Sequence, residues 1–193
     1  MAEGTARRAD AAQNRERILT AAREELARAA DVSMHAIAKR AGVGQGTLYR
    51  HFPTREALLL AVYRHDVTEL VDAATTLLAE TPDPVLALRR WLDRLASFGR
   101  VKHGLAGALH AATYADLSAG HYRPVVEAIA LLLRAGRDAG RIRDDADAEH
   151  LLLLVGFLWR GDPDPDRDRR NGHLLDIVLD GLSTAPRIPL PRR

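Results

Sequence analysis

The chain contains no cysteine, which removes disulfides, thiol nucleophiles and thiolate zinc sites at once and fits a reducing compartment. Long apolar runs are missing too. The opening residues MAEGTARRAD hold nothing like the apolar stretch of a signal peptide, and runs such as Leu151 to Val155 are far too short to cross a bilayer. A cytoplasmic protein with no membrane partner is expected. There is no phosphate-binding loop, dinucleotide fingerprint or Ser-His-Asp order, so an enzyme reading has neither nucleophile nor cofactor. The expectation is therefore no catalysis and no cofactor. Metal-binding patterns fare no better. His103 and His110 lack a carboxylate at ligand spacing. Asp162, Asp164, Asp166 and Asp168 alternate as in a calcium loop, but two prolines interrupt them, no glycine marks the sharp turn, and His173 stands where a bidentate Glu belongs.

What is present is an ordinary globular composition, 47% hydrophobic and 28% charged over 193 residues, enough for one sizeable domain or a small one joined to a larger. The net charge of +2 is unevenly spread: residues 1–60 carry 10 Lys/Arg against 7 Asp/Glu, and residues 61–193 carry 18 against 19. The first third is the basic part, which leans towards an anionic partner there.

Apolar residues recur at helical spacing, with no strand signal, internal repeat or low-complexity block competing, so the predicted fold class is all-α. Ile18, Leu19, Ala22 and Leu26 form a stripe within residues 14–29. Ser33 is a good N-cap for MHAIAKRA, which ends at Gly42. Thr54 caps a long helix through ALLLAVYRHDVTELVDAATTLLA, with Glu56 in its first turn where the helix dipole favours an anion. Thr81-Pro82-Asp83-Pro84 breaks it, and Leu86 to Val101 supply another helix. Further helices are predicted from about Tyr122 to Ala139, from Ala146 to Arg160 and from somewhat before His173 to Leu182, with GDPDPDRDRR as a loop between the last two.

One stretch interrupts this regularity. Residues 41–62, AGVGQGTLYRHFPTREALLLAV, crowd Gly42, Gly44, Gly46 and Pro53 around Tyr49 and Phe52. Two short helices crossing steeply through a tight turn need a small residue at their contact, a residue tolerating positive φ in the turn, and apolar residues pointing inward. Ala38, Gly42, Val43 and Leu48 meet these needs in order. The second of the two helices starts near Gly44 and stops at Phe52, because Pro53 disfavours helical backbone at the preceding residue. Gly44 and Gly46 leave the backbone amides of its N-terminus bare, as suits a phosphate, and Gln45, Thr47, Tyr49, Arg50 and His51 supply hydrogen-bonding groups on the face that Leu48 and Phe52 do not bury. Such a helix fits the major groove.

With TLYRHF, Pro53, Thr54, Arg55 and a long apolar helix following in register, residues 14–62 resemble the DNA-binding domain of the TetR family of transcriptional regulators. The resemblance implies base-edge contacts from Gln45, Thr47 and Arg50, phosphate contacts from Tyr49, His51 and Arg55, and a backbone contact from Ser33, with Gly44 and Gly46 in the same interface. Arg7 and Arg8 belong to a segment readable either as an arm on DNA or as a solvated tail. Two features depart from the family pattern: Gly44 stands where Ser or Thr is usual, and the ARAADVSM link is short and lacks the common Gly-aromatic pair.

The expected organisation is a flexible basic arm over 1–13, a helix-turn-helix domain over 14–60, a helical effector-binding and dimerisation domain over 61–185, and an extended tail over 186–193. HLLLLVGFLWR is apolar nearly all round, as suits a helix covered on both sides. Leu151, Leu152, Val155 and Trp159, with Leu174, Leu175, Ile177, Val178 and Leu182, are the candidate homodimer seam; the family resemblance implies a four-helix interface there. Trp91, Leu95, Phe98, His110, Tyr114, Tyr122 and Phe157 are candidates to line a mostly apolar pocket for a small-molecule effector. The reading adopted is a sequence-specific regulator, by family expectation a repressor, released from a palindromic duplex operator by that effector. A sequence-neutral DNA-binding protein, or a helical ligand-binding protein or enzyme with a vestigial helix-turn-helix, are the alternatives.

Overall fold

Capping chemistry sets most of the helix boundaries. A computed structural model describes residues 2–184 apart from 29–31, 107–110 and 160–165, with side chains described for 9–26, 32–98, 120, 122–158 and 166–184. Among the described residues eight α-helices run in order: α1 (Ala2–Arg28), α2 (Met34–Ala41), α3 (Gln45–His51), α4 (Arg55–Glu80), α5 (Pro84–Ala106), α6 (Ala111–Asp138), α7 (Ala148–Leu154) and α8 (Arg167–Leu182), with a 3-10 turn at Val155–Trp159 after α7. No strand longer than an isolated bridge, Ile142 to Ser183, occurs among the described residues. The fold is all-α.

The chain divides into two compact units, Met1–Glu69 with Ser97–His121, and Leu70–Ala96 with Tyr122–Arg193. This division differs from a single cut after residue 60, because α4, α5 and α6 each supply residues to both units. Within the first unit, α1 buries Ile18, Leu19, Ala22 and Leu26, α2 buries Ile37, Ala38 and Ala41, α3 buries Leu48, and α4 buries Leu58, Leu59, Val62 and Tyr63. The Tyr63 and Phe98 rings meet at 5.5 Å between centroids. In the second unit Trp91 is fully buried, and its indole N–H donates to Leu70 O at 2.7 Å, which satisfies the one polar group such a ring carries.

Several boundaries differ from the sequence pattern. Helix α1 begins at Ala2, inside the segment read as an arm; AEGTARRADAAQ is rich in Ala and Arg and free of proline, so nothing stops helix there. Asp83 Oδ1 accepts from Val85 N at 2.9 Å, and Pro84 takes the first helical position, where its missing N–H costs nothing; α5 therefore starts two residues before Leu86. Helix α6 begins at Ala111 rather than near Tyr122 and carries Pro124 inside. That proline leaves one carbonyl, at Gly120, without its helical donor, and Gly120 is exposed to solvent. The segment Ala146 to Arg160 splits instead of forming one helix: Asp147 caps α7 by accepting from His150 N at 2.9 Å, and the chain tightens into the 3-10 turn around Gly156. Helix α8 starts at Arg167, within the predicted loop, once Pro165 is passed and with Asp168 in its first turn.

Gly136 lies where α6 meets the following link: a Cβ there would collide with the Ile142 side chain. The link is also tied to the end of α8, Arg143 N donating to Leu182 O at 2.9 Å and Thr184 N to Arg141 O at 3.3 Å.

Candidate nucleic-acid interface

The turn between α2 and α3 is built by backbone geometry. Ser33 Oγ accepts from Ala36 N at 3.1 Å and starts α2. At the other end Gly42 takes a left-handed conformation, φ 63° and ψ 36°. Gly42 N donates to Lys39 O at 3.2 Å and Val43 N to Ala38 O at 3.1 Å, the paired bonds that close a helix through a glycine. Arg17 of α1 completes the closure, its Nη2 donating to Ala41 O at 2.7 Å and Gly42 O at 3.1 Å. The guanidinium thus serves carbonyls that a helix end leaves without partners. Gly44 then caps α3 with no side-chain bond, its carbonyl accepting from Thr47 N and Leu48 N at 2.9 and 3.1 Å.

Helix α3 spans seven residues, too few to be stable alone. Two buried anchors hold it, Leu48 and Phe52, and Arg15 lies over the Phe52 ring, 5.4 Å from its centroid. Anchoring that side turns the other outward. Gln45, Gly46, Tyr49 and Arg50 are exposed, as are Ser33 and Gly44, while Thr47 and His51 are half-buried. Arg50 Nε donates back to Gly46 O at 3.1 Å, laying the guanidinium along the helix. Arg55, read as a phosphate ligand, is half-buried, with Nε donating to Val32 O at 3.2 Å; it ties the start of α4 to the α1–α2 link. Two contributors escaped the sequence reading. Arg17 sits outside the motif, and His35 Nδ1 lies 2.5 Å from Gln45 Nε2; the ten-residue separation could have flagged His35 only once the crossing angle of α2 and α3 was known.

Behind the motif, α1 and α4 share an ionic cluster. Arg23 Nη1 meets Glu69 at 2.9 Å, and His65 Nε2 lies 3.2 Å from Glu16 and 3.4 Å from Glu69. Asp66 is buried beside them, with Arg23 Nε 3.3 Å from Oδ1, yet neither of its oxygens gains an aligned hydrogen bond. Burial is the main influence on it, and with Glu69 it outweighs Arg23 and His65 to push the carboxyl up to about 6.

The candidates in the larger region separate on inspection. Leu151, Leu152, Val155, Leu175 and Val178 are buried in their own chain, and Leu174 and Leu182 are half-buried. The outward apolar residues are Leu153, Leu154 and Ile177, at 71%, 58% and 54% exposure. A helix apolar all round has no preferred phase in sequence, so packing alone chooses which side turns inward. Of the pocket candidates, Trp91 and Leu95 are buried, Phe98 and Phe157 are half-buried, and Tyr122 is 42% exposed. Tyr114 and Trp159 lie in helical segments with side chains outside the described residues, as does His110 entirely.

An all-helical chain that closes a short helix outward through a left-handed glycine is a helix-turn-helix protein. Residues 18–62 match the family model for bacterial regulatory proteins of the tetR family, and residues 83–184 match the C-terminal domain of SbtR-like transcriptional regulators. A crystal structure of a TetR transcriptional regulator from Streptomyces coelicolor is 38% identical, with the match covering 89% of this chain and 99% of that one at a TM-score of 0.78. A TetR transcription regulatory protein from Mycobacterium vanbaalenii is 35% identical, covering 92% and 99% at a TM-score of 0.74. An HTH-type transcriptional regulator from Staphylococcus aureus is 39% identical over 96 residues, 45% of this chain and 50% of that protein; the chain thus spans about half the length of that curated relative. The chain belongs to the TetR family of transcriptional regulators.

Proposed function

We propose that this protein is a cytoplasmic, sequence-specific DNA-binding regulator that acts as a homodimer on a palindromic duplex operator. The observation carrying this reading is the outward face of α3: Leu48 and Phe52 are buried, and Gln45, Tyr49 and Arg50 are exposed on one short helix. In the proposal Gln45, Thr47 and Arg50 read base edges, Tyr49, His51 and Ser33 meet phosphates, and Gly44 and Gly46 let the backbone approach. Arg55, whose Nε donates to Val32 O, is placed beside the phosphate backbone in the same reading. Paired copies would read half-sites about 34 Å apart or a multiple of it.

The copies pair through α7 and α8, with exposed Leu153, Leu154 and Ile177 at the centre of the seam. A small apolar molecule bound in the larger helical region shifts the balance between two arrangements of the paired α3 helices, with α4 as the connecting element. The protein is a repressor in this reading, and the effector releases it.

Selection of bound sequences from a random duplex library at two salt concentrations tests the proposal. Enrichment of one palindrome, with affinity falling steeply as salt rises, is the expected result; binding without enrichment, or no binding, overturns it. Gln45→Ala should then relax preference at one position by about 1–3 kcal/mol, whereas Tyr49→Phe should weaken all sequences alike.

A further inference from the structure

The turn from α2 into α3 passes through two peptide planes that meet at Gly42, and each is held at both ends. In the first, Gly42 N donates to Lys39 O at 3.2 Å while Arg17 Nη2 donates to Ala41 O at 2.7 Å. In the second, Val43 N donates to Ala38 O at 3.1 Å while the same Arg17 nitrogen donates to Gly42 O at 3.1 Å. The N–H ends are fixed by the close of α2 itself. The carbonyl ends depend on α1, since neither takes a backbone donor among the described residues. One guanidinium nitrogen spanning both carbonyls sets the angle between the two planes, which is the rotation at Gly42, φ 63° and ψ 36°.

That rotation decides where α3 points. Gly42, Gly44 and Gly46 make this stretch loose by composition. Gly44 caps α3 in an extended conformation with no side-chain bond, and a Cβ there would meet nothing within 4 Å. The usual local restraint on a helix start, a Ser or Thr cap, is thus missing. The restraint that is present comes from a residue 25 positions away. Arg17 is not spent on an ion pair: its other terminal nitrogen donates to Asn14 Oδ1 at 3.3 Å, and the nearby carboxylates Glu16 and Glu24 are taken by His65 and Arg40.

We infer that Arg17 is a positioning residue for DNA binding: by holding Ala41 O and Gly42 O together it fixes the direction in which α3 leaves the turn, standing in for the side-chain cap that Gly44 lacks. The inference rests on the proposed DNA-binding function and goes beyond it, because Arg17 acts through the backbone of the turn and meets neither base nor phosphate. A recognition helix already set in its binding direction has less freedom to lose on entering the groove, and that advantage falls on every base position alike.

The test takes the operator from the duplex selection with the intact protein and measures affinity for it over a range of salt concentrations. Wild type is compared with Arg17→Met, Arg17→Lys, Gly44→Ser and the double variant of Arg17→Met with Gly44→Ser. Thermal unfolding by circular dichroism shows which are folded at the assay temperature. Arg17→Met keeps the apolar stem and removes every donor. It should bind about tenfold more weakly, the scale of a lost hydrogen bond from a charged group, with the selected sequence and the salt slope both as in wild type. A phosphate ligand would instead lower that slope by about 1. Arg17→Lys keeps the charge in a compact head without the rigid fork of a guanidinium, so it should stay about threefold or more below wild type. Gly44→Ser should recover more affinity in the Arg17→Met background than it adds to wild type.

Wild-type protein that enriches no sequence overturns the DNA-binding function itself, and this inference with it. Once an operator is enriched, the remaining outcomes bear on Arg17 alone. A folded Arg17→Met that binds as tightly as wild type overturns the inference, since the contact then serves folding only. So does a salt slope lowered by about 1, which would make Arg17 a phosphate ligand, or an Arg17→Lys that matches wild type, which would make its charge sufficient. Equal gains from Gly44→Ser in the two backgrounds overturn the part Arg17 plays in place of a cap. If Arg17→Met does not fold, the affinity and salt slope of Arg17→Lys decide by the same criteria.

Discussion

The helix-turn-helix and the α7–α8 region solve opposite problems. The first holds a seven-residue helix, α3, through a few directional contacts: the Gly42 closure, the Arg17 bonds to its carbonyls, and the Leu48 and Phe52 anchors. The second holds its helices by apolar burial, with Leu151, Leu152, Val155 and Leu175 packed inside, and it tolerates Leu153 and Ile177 in water or against a partner. Directional contacts demand particular residue types at particular positions. Burial asks only for apolar volume on the correct side. A region of the first kind therefore carries a legible signature, and one of the second kind does not.

The largest effect that would sharpen this comparison lies in the second region. Leu175→Ala should cost about 2–5 kcal/mol in denaturant unfolding, because a fully buried leucine leaves a cavity, whereas Leu153→Ala should change folding stability by less than about 0.5 kcal/mol. If Leu153 carries the dimer seam, its loss appears instead as a weaker association in sedimentation equilibrium, measured across protein concentrations. Equal costs at the two positions would break the assignment of inward and outward faces.

In the first region Gly42→Val should cost about 2–3 kcal/mol, since a β-branched residue resists positive φ and its Cβ would stand 2.8 Å from Arg17 Nη2. Thermal unfolding measures the loss. A change below about 0.5 kcal/mol would mean that the turn does not depend on this closure.

Asp66 offers a test at the α1–α4 contact. Its folded carboxyl is pushed up to about 6 from 3.8, chiefly by burial, so the fold favours the protonated form. The stability it contributes is fully present below about pH 4 and is lost as pH rises through about 6. Asp66→Asn should remove that fall and raise stability at pH 7 by about 1–2 kcal/mol, because the Arg23 side chain is half exposed and stays hydrated without its partner. Unfolding free energies from pH 4 to 8 check the sign; a variant less stable than wild type at pH 7 would show the Arg23 pair outweighing burial. A smaller loss than at Gly42 is expected for Ser33→Ala, about 1 kcal/mol in thermal unfolding from the lost cap of α2.

Much of the helix-turn-helix was readable in advance for a physical reason. Ser33, Gly42, Thr54 and Pro53 act on backbone atoms within a few residues, so their identities already state what they do: the structure has Ser33 capping Ala36, Gly42 in left-handed conformation, and Thr54 Oγ1 accepting from Ala57 N at 3.1 Å. The start of α6 was not readable, since the helix runs through Pro124, a residue that ordinarily ends or kinks one. The outward turn of Leu153 and Leu154 was equally hidden within an apolar run.

By itself, then, the sequence determined the helical class, the turn at Gly42, the outward face of α3 and membership of a regulator family, all of which rest on local propensity and on motifs whose residues lie close in the chain. Only tertiary structure decided that Arg17 closes α2, that Arg55 serves Val32, that His35 meets Gln45, and which leucines of α7 face out. Those depend on helix crossing and rotation, which many weak apolar contacts set together and no single residue announces.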